Sequence, residues 1–215
     1  MHQIFSDIDS YATQHSAAEP VLLAQLSKET FQKVLNPRML SGHLQGRVLS
    51  MLSKLIKPTH ILEIGTYTGY ATLCLAEGLA PSGTLDTLDC NEELFAFQQK
   101  YFEASGYGLQ IEQHLGNALE ILPKLTPKKY DLVFLDADKE NYINYLHLLI
   151  PMMNVGGVLL SDNVLWSGKV LEPASEKDIT TKILQEYNQL LANHPQFETV
   201  LLPIRDGLTI SRKVF

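Results

Sequence analysis

A chain of 215 residues, 45% of them hydrophobic, has the size and balance of one soluble α/β domain with an added segment. Its net charge of −7 argues against a broad nucleic-acid surface, and no apolar run approaches the roughly 18 residues of a membrane span. Cys74 and Cys90 lack C-x-x-C spacing and Met1 to Asp9 lack a secretory pattern, so a cytoplasmic protein without disulfide framework or zinc site is expected.

Residues 1–57 read as a helical segment, a cap on the sheet or a dimer contact, ahead of a larger unit at 58–215; together they form a single structural domain. Pro20 opens one helix, and Asn36-Pro37 marks its stop. Val48, Leu49, Leu52, Leu55 and Ile56 recur at helical spacing in a second helix, which Pro58 ends. The loop at Met39 to Ser41 either caps the sheet or lies beside a crevice.

Ile61, Leu62 and Ile64 form a short apolar run, as a buried parallel strand does. Gly65-Thr-Tyr-Thr-Gly69 breaks the pattern, and from Tyr70 Leu73, Ala76, Leu79 and Ala80 recur at helical spacing. Strand, glycine turn and helix in this order open a nucleotide site in α/β sheets, or form a tight turn with no ligand. Gly65 and Gly69 would let the backbone approach a ligand, and Glu63 is expected to point its oxygens into the same crevice. Thr84 to Asp89 is a second strand, and Asp89 lies 20 residues beyond Gly69, where nucleotide-binding units place a carboxylate on ribose hydroxyls.

Further along, a helix is expected from Glu92 to Ala104, a strand around Leu109 to His114, and a short helix from Asn117 to Leu125. Tyr130 to Asp136 and Val155 to Ser161 read as strands with a helix from Asn141 to Ile150 between them. A helix from Lys177 to Ala192 precedes Phe197 to Leu202 and Leu208 to Val214, which Pro203 to Gly207 joins as a hairpin. The alternation predicts a doubly wound, mostly parallel sheet with an antiparallel C-terminal hairpin.

Glu63, Asp89, Asp136 and Asp162 then fall on the carboxyl edge of that sheet, where open α/β sheets bind ligands. Carboxylates gathered there repel one another and call for a cation or a hydroxyl-rich ligand. Asp136, Asp162 and Asn163 offer hard oxygen donors, suited to Mg²⁺, Ca²⁺ or Mn²⁺ rather than zinc, or else they cap the adjoining helices. Lys139 lies three residues after Asp136. A free lysine, with a pKa of about 10.4, becomes a plausible base when a divalent cation sits beside it; otherwise it is a solvated surface residue.

Leu62-Glu-Ile-Gly-Thr-Tyr-Thr-Gly-Tyr70, Leu135-Asp-Ala-Asp-Lys-Glu-Asn-Tyr142, Ser161-Asp-Asn-Val-Leu-Trp-Ser-Gly168 and the hairpin Pro203 to Ser211 occur in the order seen in one known family. From about Met39 to its end the chain resembles the cation-dependent O-methyltransferases, typified by caffeoyl-CoA and catechol O-methyltransferases, in their bacterial form. The resemblance implies a Rossmann-like class I methyltransferase sheet and a homodimer. It implies that Ser41, Glu63, Gly65, Thr66, Gly69, Ala71, Asp89, Ala118 and Asp138 hold S-adenosylmethionine. It also implies that Asp136, Asp162 and Asn163 bind the cation, that Lys139 is the base, and that Trp166 and Ser167 lie near a small aromatic substrate. Ala71 replaces a serine common in the family, and Ser167 stands where plant members acting on acyl-CoA carry asparagine. With no clear acyl-CoA match in the N-terminal segment, these departures favour a free catechol.

A catechol fits the chemistry, because two vicinal oxygens chelate one cation, which lowers a phenolic pKa of about 10. Some bacterial relatives methylate a hydroxylated tRNA uridine, which is the alternative within the family, but they tend to replace the second aspartate of Asp136-Ala-Asp138. A nicotinamide dehydrogenase is weaker, since Gly65-x-x-x-Gly69 lacks the third glycine of that fingerprint. A P-loop is excluded by the absence of Gly-Lys-Ser/Thr.

Overall fold

The computed structural model describes residues 2–125 and 127–215, with side chains from Asp7 onward; Met1, the first residue of the stretch read for a secretory pattern, lies outside them. Three helices come first, α1 (His2–Gln14), α2 (Val21–Lys33) and α3 (Gly42–Ile56). Alternation then begins with β1 (His60–Ile64), α4 (Tyr70–Ala76), β2 (Thr84–Asp89), α5 (Phe95–Ala104) and β3 (Ile111–Leu115). It continues through α6 (Ala118–Ile121), β4 (Tyr130–Leu135), α7 (Tyr142–Leu149), β5 (Met153–Asp162), α8 (Ile179–Ala192), β6 (Phe197–Leu202) and β7 (Leu208–Lys213). None of the described helices is long and apolar enough to cross a membrane.

The sheet order is β3-β2-β1-β4-β5-β7-β6. Pairs among β1 to β5 are parallel, whereas β7 runs antiparallel to both β5 and β6. The expected hairpin is therefore present, with β7 as the single reversed strand, inserted between β5 and β6. A short turn can join only antiparallel neighbours, while the longer connection through α8 returns the chain in the parallel sense.

Both faces of the sheet are covered, which is why its central strands read as continuous apolar runs rather than alternations. Leu62, Ile64, Val133, Leu135 and Leu159 pack with Tyr145, Leu146 and Leu149 of α7 and Leu184, Tyr187 and Leu191 of α8. On the opposite face Ile61, Leu132, Phe134 and Leu160 pack with Leu73, Cys74 and Leu75 of α4 and with Leu26 and Leu49. Leu26 and Leu49 are fully buried, each contributing roughly 1.5–3 kcal/mol, so α2 and α3 belong to the core.

The seam between α3 and α4 is close. A Cβ on Gly46 would stand 2.6 Å from the Tyr70 ring and 2.9 Å from Cys74 Sγ. Across it, Arg47 and Lys54 of α3 grip the Glu77 carboxylate at 2.8 and 2.6 Å. The helix expected to run from Tyr70 to Ala80 stops at Ala76. At Gly78 a Cβ would lie 2.2 Å from the Ser53 backbone, so the chain turns where α3 presses against it.

Candidate active site

Register brings the expected strand ends to one level. Ile64 pairs with Leu88 and with Leu135, and Leu135 pairs with Ser161. The next residue on each strand is Gly65, Asp89, Asp136 or Asp162, so all four emerge at the same edge of the sheet. A crevice of about 1930 Å³ opens there, lined among others by Gly65, Asp89, Ala118, Asp136, Asp138, Lys139, Asp162, Asn163 and Trp166. Ser41, Glu63, Thr66, Gly69, Ala71 and Ser167 are not among its lining residues. Met39 is, with Asn36 beside it, so the loop before α3 does border the crevice.

The glycine turn is built by its own contacts. Gly65 N and Thr66 N both donate to Leu88 O, at 2.9 and 3.3 Å. Asp89 Oδ2 accepts from Tyr67 N at 2.6 Å, and its Oδ1 accepts from Asn91 N at 2.8 Å, so backbone amides hold the carboxylate at the rim. Gly65 has φ +102°, and a Cβ there would lie 2.0 Å from Asp136 O. At Gly69, with φ +87°, a Cβ would strike the Phe102 ring at 2.5 Å. Neighbouring protein therefore demands both glycines, before any ligand is considered.

Glu63 does not open into the crevice as expected. It is fully buried, its Oε2 accepting from Thr72 Oγ1 and, at 2.5 Å, from Thr87 Oγ1. Burial outweighs those two bonds and pushes its pKa up to about 8, so it is a neutral acid at pH 7. Its position in β1 sends its side chain to the α4 face, where helix and strand hydroxyls enclose it. Thr66, 3% exposed, meets Thr87 Oγ1 at 2.6 Å in the same polar knot.

The acidic end joins two strand exits, those of β4 and β5. Lys139 Nζ donates to Asp136 Oδ1 at 2.9 Å and to Tyr142 OH at 2.7 Å. Tyr142 OH in turn donates to Asp162 O at 2.9 Å, tying the base of α7 to the end of β5. Asp162 is 2% exposed; its Oδ2 accepts from Gln45 Nε2 at 2.6 Å and its Oδ1 from Asn163 N at 2.8 Å. Burial first, then the charge of Asp136, push the Asp162 carboxyl up to about 6. Lys139 is bonded to Asp136 and acts on Asp162 only through its charge; among the described residues no cation is bonded to Asp162.

Backbone strain collects at this edge. Non-glycine residues with left-handed φ include Asn36, Tyr67, Asn163, Trp166 and Arg205, all of which line the crevice. Each costs of order 1–3 kcal/mol unless its surroundings hold it, a pattern typical of functional sites. Ser167, also left-handed, is fixed instead through its N–H, which donates to Asp206 Oδ1.

A family model described as O-methyltransferase matches residues 13–214. The chain belongs to the O-methyltransferase family. Caffeoyl-CoA O-methyltransferase 2 of Eucalyptus globulus is 36% identical, the match covering 91% of this chain and 83% of that one. Caffeoyl-CoA O-methyltransferase of Petroselinum crispum is also 36% identical, over 91% and 85%. The crystal structure of an O-methyltransferase from Bacillus cereus in complex with SAH superposes with a TM-score of 0.91 at 25% identity, covering 99% of this chain and all of that one. TomG from Streptomyces achromogenes, in complex with SAM, gives 0.89 at 26% identity, over 97% and 96%.

This O-methyltransferase has ligand-like spacing at another place, in Asp86, Glu112 and His114, whose donor atoms lie within 4.8 Å of one another. It occupies the middle of β2 and β3. Asp86 is already bonded there to His114 Nε2 at 2.9 Å, Lys128 Nζ at 2.6 Å and Tyr130 OH at 3.1 Å. Burial alone would raise its pKa, yet the His114 and Lys128 bonds hold it below the usual range. The lysine supplies the charge a metal would bring.

Sequence reasoning missed Gln45, Tyr67, Tyr142, Arg205 and Asp206. Gln45 meets Asp162 across 117 positions and Arg205 across 160, distances at which no local pattern gives a signal. Tyr67, inside the glycine motif, was legible as a position only. Its hydroxyl donates to Leu35 O and Asn36 O at 3.1 and 3.2 Å, fastening the loop after α2 over the crevice.

Proposed function

We propose that this O-methyltransferase transfers a methyl group from S-adenosylmethionine to one hydroxyl of a small vicinal dihydroxy aromatic, and that it requires a divalent cation, Mg²⁺ first among them. The observation that carries the cation reading is Asp162, buried beside a second carboxylate and bonded to no cation among the described residues. Asp136, Asp162 and Asn163 present hard oxygen donors suited to Mg²⁺, Ca²⁺ or Mn²⁺, so the donor chemistry fits. Gly65, Asp89, Ala118 and Asp138 line the crevice and would hold S-adenosylmethionine, with Asp89 on ribose hydroxyls. Ser41, Glu63, Thr66, Gly69 and Ala71 would act from behind, by shaping the turn and the helix starts.

When bound, S-adenosylmethionine supplies the electrophilic methyl and the cation lowers the pKa of the acceptor hydroxyl while fixing its direction. Lys139, whose Nζ lies between Asp136 and Tyr142 at the crevice wall, would accept the proton as a neutral amine, released from its ion pair when a bound cation takes the Asp136 carboxylate. Trp166 borders the space for the aromatic ring, with Ser167 in the turn behind it. The names of the plant relatives favour a second acceptor of the same kind, a CoA thioester carrying the catechol.

The test uses EDTA-treated protein, a catechol, its monophenol analogue and a catechol CoA thioester. Methylation of the catechol is expected to vanish without cation and return with excess Mg²⁺, while calorimetric S-adenosylmethionine binding persists. An equal rate for metal-free protein, or for the monophenol, would refute the proposal.

We further infer a cytoplasmic homodimer that meets through the N-terminal helices. Exposed Ile8 and Tyr11 on α1 and Met51 and Leu55 on α3 support that contact, because α1 packs on α3. A monomeric mass by light scattering at micromolar concentration would contradict it.

A further inference from the structure

We infer that Gln45 is a positioning residue for Asp162, and that Arg205 sets the direction of its amide. The inference rests on the cation reading of Asp162 given above. Gln45 is 1% exposed on α3, and both ends of its amide are used. Nε2 donates to Asp162 Oδ2 at 2.6 Å, and Oε1 accepts from Arg205 Nη1 at 2.8 Å. The same guanidinium donates to Ser41 O, at the start of α3. Three remote segments, α3, the end of β5 and the turn between β6 and β7, thus meet in one hydrogen-bonded chain.

The chemistry of the partners fixes its polarity. An amide can be turned end for end, but a guanidinium only donates, so the Gln45 oxygen must face Arg205. The amide nitrogen is then committed to Asp162. With Arg205 removed, the amide keeps only one of its two anchors: its buried oxygen loses its donor, and its nitrogen is no longer held in line with the carboxylate. Asn163 N holds the other oxygen of Asp162, so the plane of the carboxylate is set from both sides. Arg205 keeps a left-handed φ of +49° to take this position, a conformation that only its surroundings can enforce.

A neutral amide also suits the task. A lysine bonded to Asp162 would orient the carboxylate and neutralise it together, as Lys128 does for Asp86. Gln45 orients without neutralising, which leaves the full negative charge for a cation. Arg205 therefore acts on cation affinity through Gln45, and the sign of its effect is diagnostic. Electrostatics alone predicts that losing a positive residue from the crevice tightens cation binding. The relay predicts the opposite.

The test is Mn²⁺ and Mg²⁺ binding by calorimetry and electron paramagnetic resonance, on full-length protein in the presence of S-adenosylhomocysteine. Gln45→Met and Arg205→Met are each expected to raise the cation dissociation constant about 10- to 100-fold, with S-adenosylhomocysteine affinity unchanged. The double variant is expected to be no weaker than Gln45→Met alone. Arg205 is exposed, so its variant carries the test even if the buried Gln45→Met fails to fold. Unchanged or tighter cation binding by Arg205→Met, or losses that multiply in the double variant, would overturn the relay. If the unaltered protein binds no cation, the relay falls together with the cation reading; if it binds and the variants match it, the relay alone falls.

Discussion

Asp86 and Asp162 are both buried aspartates in parallel strands of one sheet, 1% and 2% exposed, yet their surroundings differ in kind. Around Asp86 stand His114, Lys128 and Tyr130, which hold its carboxyl below the ordinary range despite burial. Around Asp162 stand a second carboxylate and a neutral amide, and its carboxyl is pushed up to about 6. The first site is complete as folded. The second has no cation bonded to it among the described residues and gains most from one. Position explains the contrast: Asp86 lies mid-strand between structural neighbours, and Asp162 lies at the strand exit where the sheet opens. Glu63 is a third solution, a buried carboxyl that holds its own proton, with a pKa of about 8.

The largest break in this comparison is expected from Asp162→Ala. Loss of the cation should remove several kcal/mol of transition-state stabilisation, about 10²- to 10⁴-fold in turnover, with the fold retained by circular dichroism. Lys128→Met should do the reverse. Leaving Asp86 buried without its cation is expected to cost about 3 kcal/mol in denaturant unfolding, with turnover per folded molecule and the response to Mg²⁺ unchanged. If Mg²⁺ instead stabilises through Asp86, the assignment of the two groups is inverted.

Asp89→Ala sharpens the comparison from the cosubstrate side. It should weaken S-adenosylmethionine binding by about 1.5–3 kcal/mol in calorimetry while cation affinity stays. A further contrast concerns Glu63. Its folded pKa of about 8 lies above the ordinary 4.5, so the folded state keeps a proton that the unfolded state has lost. Stability should therefore fall as pH rises from about 4.5 to about 8 and level off beyond. Melting midpoints measured from pH 6 to 8.5 should decline, and Glu63→Gln should flatten that decline; an equal slope in the variant would remove Glu63 as its source.

Much of this was legible in the chain itself. Thr84 to Asp89 was bounded correctly, because an apolar run between a turn and an acidic exit has few other readings. Asp136 and Asp162 could be placed at one level because each ends an apolar strand, and parallel pairing aligns strand ends. Gly65 and Gly69 were legible as positions, but the reason for them was not. Asp136 O and the Phe102 ring crowd them, and both belong to other elements.

The alternation of elements, the covered sheet, the acid at each strand exit and the family were all written in the chain. Those features depend on periodicity and on short motifs, which local physics imposes on neighbouring residues. Tertiary packing alone settled which acids face the crevice, which are closed off, and which are neutralised. Glu63 turned inward because Thr72 and Thr87 enclose it, and Asp86 was balanced by a lysine 42 positions away. Asp162 was aimed by Gln45 and Arg205 from the two ends of the chain. The charge state of a carboxyl is a property of everything packed around it, and that packing exists only once distant segments have met.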